Sequence, residues 1–384
     1  MKKILLASVM AAAISAPAFS QVTLYGKVDT GYTYLNVDTG RPSASRQTRF
    51  KMDSGQSAGS RWGIEGWEDL GSGYRVGFKL ESGFNLDTGA SAQGGRLFGR
   101  ESILRVQGPF GTLKFGRMGA LASGFPDTGL FGGNMSPFAV GFGDIPGHRF
   151  IFAGDFSCLD NAITYNTPSF NGWTLMLQYS HDRNSQDKSY AGEHGIEGKS
   201  SVDRSYGAAV QFKNSTTEFN FVVDSTNYAS HLGPELTKHQ KDSFVMTAGI
   251  RHSISWARLF AAAQYFTHAR DFLQEAYQLY GTQDKFMTNK LGKNGFGGTL
   301  GIEVPAGPGY WKFAVGYMDA KESENHSQKF KRMQAALGYW WTISKRTALY
   351  VDTGYVRDKL TSDAFKDYGK ANAYTGNIGL VHNF

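Results

Sequence analysis

The sequence predicts an all-β fold, a closed antiparallel transmembrane barrel of about sixteen strands, with short turns at one end and long loops at the other. Three observations carry that expectation. Stretches of roughly ten residues, the length of a tilted strand crossing a bilayer, alternate apolar and polar side chains with period two. The connections between them alternate between tight turns and long polar segments. Beyond residue 20 no apolar run approaches the ~18 residues that a membrane helix requires.

Composition removes other classes. Aromatic residues make up 14% of the chain, too much apolar surface for a disordered protein. Glycine contributes 48 of 384 residues, above its usual ~7%, yet there is no G-X-Y period, so glycine serves turns and crowded backbone. With Cys158 as the single cysteine, neither an intrachain disulfide framework nor a cysteine-based zinc site can form. No cofactor and no metal are expected.

Residues 1–20 read as an export signal. Lys2 and Lys3 form a basic start, residues 4–14 an apolar centre, and Pro17, Ala18 and Ser20 a small-residue cleavage site. The mature domain is then 21–384, one barrel. Removing Lys2 and Lys3 from the formal net charge of +7 leaves +5, without the basic blocks of a nucleic-acid-binding protein.

The first strand places Val22, Leu24, Val28, Tyr32 and Tyr34 on one face and Thr23, Lys27, Asp29 and Thr33 on the other. Tyr74, Val76, Phe78 and Leu80 oppose Arg75, Lys79 and Glu81; Tyr206, Ala208, Val210 and Phe212 oppose Ser205, Gln211 and Lys213. Ala257, Leu259, Ala261, Ala263 and Tyr265 face away from Arg258 and Gln264, Trp311, Phe313, Val315 and Tyr317 from Lys312, and Met333, Ala335, Leu337, Tyr339 and Trp341 from Arg332, Gln334 and Gly338. One face is thus apolar and the other wet. Tyr25, Tyr179, Tyr317 and Tyr355 stand where the aromatic girdles of a membrane barrel belong. A soluble sandwich also alternates, but it has no reason to alternate short turns with long loops. The long polar stretches near 35–58, 84–97, 118–158, 182–203, 229–241, 268–294, 320–330 and 358–372 number eight, hence eight hairpins.

Several motifs resemble the Gram-negative general diffusion porins, in the branch that holds the neisserial and burkholderial trimeric porins. Val22-Thr23-Leu24-Tyr25-Gly26 is similar to that family's first strand, and Gly63-Ile64-Glu65-Gly66-Trp67-Glu68-Asp69-Leu70-Gly71-Ser72-Gly73 to its second strand and first turn. Gly108-Pro109-Phe110-Gly111-Thr112-Leu113-Lys114-Phe115-Gly116-Arg117 resembles the signature entering the third loop, and Asp160-Asn161-Ala162-Ile163-Thr164-Tyr165-Asn166 the strand leaving it. The likeness continues through Ser344-Lys345-Arg346-Thr347-Ala348-Leu349-Tyr350 to Gly379-Leu380-Val381-His382-Asn383-Phe384. Cys158, Ala162, Val381 and Trp67 depart from the pattern, so the family's arginine ladder does not transfer whole.

The resemblance implies an outer-membrane channel for ions and small hydrophilic solutes, surrounded by outer-membrane lipid and assembled as a homotrimer. Gly26, Gly66, Ala208, Ala261 and Ala335 are the small outward residues suited to contact between barrels. It implies constriction by the third loop, with Asp127, Asp144 and Asp155 as candidate acids, Asp127 first. The candidate basic wall is Lys27, Arg61, Arg75, Lys79, Arg100, Lys114 and Arg117; alternation itself places Lys27, Arg75 and Lys79 inward. Counting Lys27, Arg75, Lys79, Lys213, Arg258, Lys312 and Arg332 against Asp29, Glu81, Glu218 and Asp224, a weak anion preference is expected. Phe384 resembles the terminal aromatic residue that the outer-membrane assembly machinery reads.

Catalysis finds little footing, since the nine histidines fall mostly in loops, with neither an H-E-x-x-H pair nor a nucleophile elbow. A structural or adhesin-like barrel whose loops bind partners is the alternative to a channel.

Overall fold

The computed structural model describes residues 21–38, 46–141, 145–154, 156–187, 195–229, 240–270, 292–324, 326–361 and 370–384. The export signal at 1–20, and Asp144 and Asp155, lie outside the described residues. The strands are β1 (Gln21–Asp38), β2 (Arg46–Ser54), β3 (Arg61–Gly71), β4 (Tyr74–Gly83), β5 (Glu101–Gly108), β6 (Gly111–Gly119), β7 (Cys158–Asn166), β8 (Trp173–Ser180), β9 (Arg204–Lys213), β10 (Thr217–Asn227), β11 (Phe244–Ser253), β12 (Arg258–Ala269), β13 (Lys293–Ala306), β14 (Gly309–Glu322), β15 (Lys329–Thr342), β16 (Thr347–Thr361) and β17 (Lys370–Asn383).

All pairings are antiparallel between neighbours, and β17 closes on β1 from Lys27 opposite Asn383 to Asp38 opposite Asn372. Closure leaves no unpaired edge, which allows the wall to sit in hydrocarbon. Seventeen segments fill sixteen positions, because β1 pairs with β2 along residues 30–38 and with β3 along residues 21–27. β2 and β3 are therefore one strand, interrupted at 55–60. Asp29, fully buried, holds the interruption: its carboxylate accepts the Ser57 and Ala58 amides at 2.9 and 2.7 Å and the Tyr350 hydroxyl at 2.5 Å.

The outward parity follows the sequence. Leu24, Leu104, Leu175, Leu300, Leu337 and Ile378 are exposed, while Thr33, Lys79, Glu81, Glu218, Thr247 and Gln264 on the opposite parity are buried. Four expectations change. Much of the expected loop at 35–58 is a hairpin of β1 and β2, whose polar composition hides its alternation. Strands run from 8 to 18 residues rather than uniformly near ten. Tyr25 is no girdle residue: its hydroxyl donates to Glu81 Oε2 at 2.9 Å inside the barrel. Ala257 precedes β12 and is buried in the turn, not outward on a strand. The small residues Gly26, Gly66, Ala208, Ala261 and Ala335 lie on β1, β3, β9, β12 and β15, spread around the wall.

Candidate functional site

The longest described connection, between β6 and β7, enters the lumen, and the inner wall is built to receive it. Where the sequence predicts a uniformly wet inner face, Val222, Val245, Phe266, Met318 and Phe330 point inward and are buried against Leu121, Phe131, Met135, Ile151 and Phe152 of this third loop. Polar side chains then satisfy its backbone, as buried amides and carbonyls require. Gln178 accepts the Leu121 N–H at 3.2 Å, Asn220 donates to the Leu130 carbonyl at 2.9 Å, and Gln264 both accepts from the Ala153 N–H at 2.6 Å and donates to its carbonyl at 2.9 Å. Arg332 and Gln334 donate to the carbonyls of Phe150 and Gly147 at 3.1 and 3.2 Å. Glycine explains the close approach. A Cβ at Gly297 would lie 2.2 Å from the Ile151 carbonyl oxygen, and one at Gly354 would lie 2.4 Å from the Pro146 ring.

At the centre of the loop, His148 is fully buried, stacked on Phe152 at 5.1 Å and edge-on to Phe131 at 6.0 Å. Burial lowers its pKa from 6.5 to about 4, against the opposing influence of its contact with the Phe131 carbonyl. Between those two values the unfolded chain binds a proton that the docked imidazole refuses, so stability falls as pH drops through that window. Chemical unfolding of the refolded barrel at pH 7 and pH 4 is expected to show that loss, and a smaller one in His148→Phe. Equal slopes in the two proteins would remove His148 as the cause.

The loop's first part meets the early wall through Asp127. Its carboxylate lies 2.9 Å from Arg105 Nη1 and 3.1 Å from Lys114 Nζ, and its amide donates to Glu101 at 3.3 Å. Burial alone would raise this carboxyl, but Lys114, Lys79 and Arg105 outweigh it and hold the group below the ordinary carboxylate range. Lys79 binds Glu101 at 2.5 Å, Arg100 binds Glu81 at 2.6 Å, Arg61 stands 3.6 Å from the same Glu81, and Lys27 is the register partner of Arg61.

Two expected wall bases stand apart from this cluster. Arg117 is drawn to Asp160 of β7 and to the Gly99 carbonyl at 2.7 Å, and Arg96 joins the same Asp160 at 2.6 Å. Arg75 sits beside the turn at Ser72, its guanidinium 4.4 Å from the centre of the Trp67 ring. Arg105, Glu65 and Glu101 belong to the cluster and escaped the sequence reading. Arg105 reaches Glu65 at 3.0 Å and lies 4.1 Å over the same Trp67. Their signal was present, since Leu104 and Val106 alternate outward against Glu101, Arg105 and Gln107. Farther round, Lys312 and Asp352 pair at 2.8 Å, Arg258 and Glu303 at 2.8 Å, and Arg251 and Glu218 at 2.9 Å.

A cavity of about 470 Å³ lies between the loop and the early wall, lined by Asp53, Gln93, Arg100, Phe125, Arg149 and Phe156 among others. The cavity is bounded by polar barrel wall on one side and by the inward loop on the other.

Comparison with known proteins fits this geometry. The family model described as "Gram-negative porin" matches residues 6–361. The chain is 30% identical to an outer membrane porin protein of Bordetella pertussis, over all of both chains, and 29% identical to outer membrane porin protein 32 of Delftia acidovorans, over 94% of this chain and 90% of the relative. Among solved structures, an anion-selective porin from Comamonas acidovorans superposes with TM-score 0.65 at 23% identity, covering 95% of this chain and all of the other. OmpT, an outer membrane protein of Vibrio cholerae in its trimer form, superposes with TM-score 0.59 at 13% identity, covering 95% and 99%.

Proposed function

The chain belongs to the Gram-negative porin family, and from that premise we propose that the edge of its third loop and the basic wall of β1 to β6 form the constriction of its channel and give it a weak anion preference. The protein is an outer-membrane porin, a water-filled barrel for passive diffusion of ions and small hydrophilic solutes. This function assigns no catalytic role to any side chain.

One observation carries the selectivity. Lys27, Arg61, Lys79, Arg100, Arg105 and Lys114 face Asp29, Glu65, Glu81, Glu101 and Asp127, six bases to five carboxylates. The excess of one positive charge is small, and the narrowest section dominates permeation. The anion selectivity stated for the Comamonas porin agrees in sign. Reversal potential across a potassium chloride gradient tests it. Wild type is expected on the anion side, Asp127→Asn farther toward anions, and Arg61→Glu/Arg100→Glu, which changes the local charge from +1 to −3, on the cation side. A cation-directed wild type would sink the assignment.

We further propose a homotrimer, supported by family membership and by the trimeric Vibrio cholerae structure. Native mass measurement after mild detergent extraction is expected to give three chains per particle; monomers alone would refute it.

A further inference from the structure

The cavity between the inward loop and the early wall holds chemistry that the passage of small ions leaves unexplained. At about 470 Å³ it has the size of a small-molecule pocket, and Phe84, Phe125, Phe150 and Phe156 line it. Phe84 and Phe125 are part-exposed. A path for hydrated ions has no use for such faces, because apolar surface is favoured only out of water.

Among these rings stands Arg100. Its Nε binds Glu81 at 2.6 Å and its guanidinium lies 4.7 Å from the centre of the Phe125 ring, yet Nη1 and Nη2 donate no hydrogen bond among the described residues. Gly59 keeps that fork open, since a Cβ there would come within 3.3 Å of Nη1. Glu81 does not cancel the charge, because Arg61 shares it at 3.6 Å. Asp53, the one acid among the residues that line the cavity, is itself bound by Lys51 at 2.6 Å.

Gln93 supplies a second polar group. Its backbone is held at φ 50°, a left-handed conformation that non-glycine residues seldom adopt, and its Oε1 is enclosed without a hydrogen-bond partner among the described residues. Gly83 brings the two side chains together: a Cβ there would lie 2.2 Å from Gln93 Oε1 and 3.1 Å from Arg100 Cδ. A ligand contact accounts for both the strain and the unused amide.

We propose that this cavity is a binding site for small aromatic monocarboxylates on their way through the channel. The carboxylate lies on the two unused nitrogens of Arg100 as a bidentate, charge-assisted pair, with the Gln93 amide beside it. The solute's ring then exchanges water for the phenyl faces. Chloride uses the charge alone, and acetate gains only the fork. The inference rests on the reading of this gap as the narrow passage of the channel.

Block of the potassium chloride current through single channels in a planar bilayer at neutral pH tests it, with benzoate, acetate, cyclohexanecarboxylate and neutral benzamide as probes. Benzoate is expected to halve the current at a concentration about tenfold below that of acetate, with cyclohexanecarboxylate several-fold weaker than benzoate and benzamide inert. Each variant is compared with its own current in potassium chloride, which also reports that the barrel has formed. Phe84→Ser/Phe125→Ser should bring benzoate to the level of acetate, Arg100→Gln should weaken both acids, and Gln93→Ala should weaken benzoate several-fold. Equal block by benzoate and acetate in wild type, or unchanged benzoate block in the phenylalanine double variant or in Gln93→Ala, overturns the site. Cyclohexanecarboxylate as strong as benzoate overturns the aromatic assignment. A cation-directed reversal potential in potassium chloride alone overturns the anion preference instead, and it leaves the comparison of benzoate with acetate readable.

Discussion

Replacing Arg332 by methionine is expected to destabilise the barrel by about 3–5 kcal/mol, the usual consequence of breaking a buried ion pair by removing one partner. Arg332 has no solvent exposure, and its Nε and Nη2 bind the two carboxylate oxygens of Asp358 at 2.7 Å each. Its remaining nitrogen, Nη1, holds the Phe150 carbonyl of the inward loop. Methionine leaves the buried Asp358 carboxylate without Arg332, and it releases one of the loop's two described attachments to β15, the other being Gln334 on the Gly147 carbonyl. Two measurements follow. Urea unfolding of the refolded protein should move to lower denaturant, and open-channel current should fluctuate more as the loop leaves the wall. The double variant Arg332→Met/Asp358→Leu should recover much of the stability, because it removes the buried carboxylate that Arg332 paired with, but not the quiet current. A single variant within about 1 kcal/mol of wild type, below the usual range for a buried pair, would show that the pair carries little weight.

The strand pattern was legible because a barrel wall obeys one rule along its whole length. Leu24, Leu104, Leu300 and Ile378 turn to lipid at the parity that alternation predicts, and the turns at Ser72 and Pro308 separate strands where glycine and proline cluster. The loop's path was legible only in retrospect. Phe266 and Phe330 break the wet face of the lumen, an oddity that makes sense once Phe131 and Phe152 lie against them. Asp127 could be singled out from its place in the sequence, but not its partner Arg105, which comes from another hairpin. Local alternation says which way Arg105 points, while the pairing depends on where a forty-residue loop lands. Asp29 acts on Lys27 as the sequence count supposed, but it also holds the break between β2 and β3, a three-way meeting of β1, residues 57–58 and β16 that local sequence does not encode.

Substituting Phe384 by alanine is expected to reduce assembled, heat-modifiable barrel in cells severalfold while the purified chain still refolds in detergent. We propose that this residue is read during outer-membrane assembly, and its setting separates that role from ordinary packing. Phe384 and Gly26 exchange two backbone hydrogen bonds of 3.0 Å where the barrel closes. The ring lies against the outward face of Gly26, so that a Cβ there would come within 2.1 Å of the ring's Cζ. Both contacts finish the seam between β1 and β17, and alanine retains the backbone pair. Because 46% of Phe384 stays exposed, loss of the ring as mere wall packing amounts to less than the ~1.5–3 kcal/mol of a fully buried side chain. That loss would appear equally in detergent and in cells. Gly26→Val supplies the control, since it displaces the ring from its seat but leaves the phenyl group on the chain. If recognition of the ring matters, Phe384→Ala fails in cells far more than Gly26→Val, although the two unfold at similar denaturant concentration in vitro. Equal assembly of wild type and Phe384→Ala at low expression would reject the recognition role and leave the ring as a closure contact on β1.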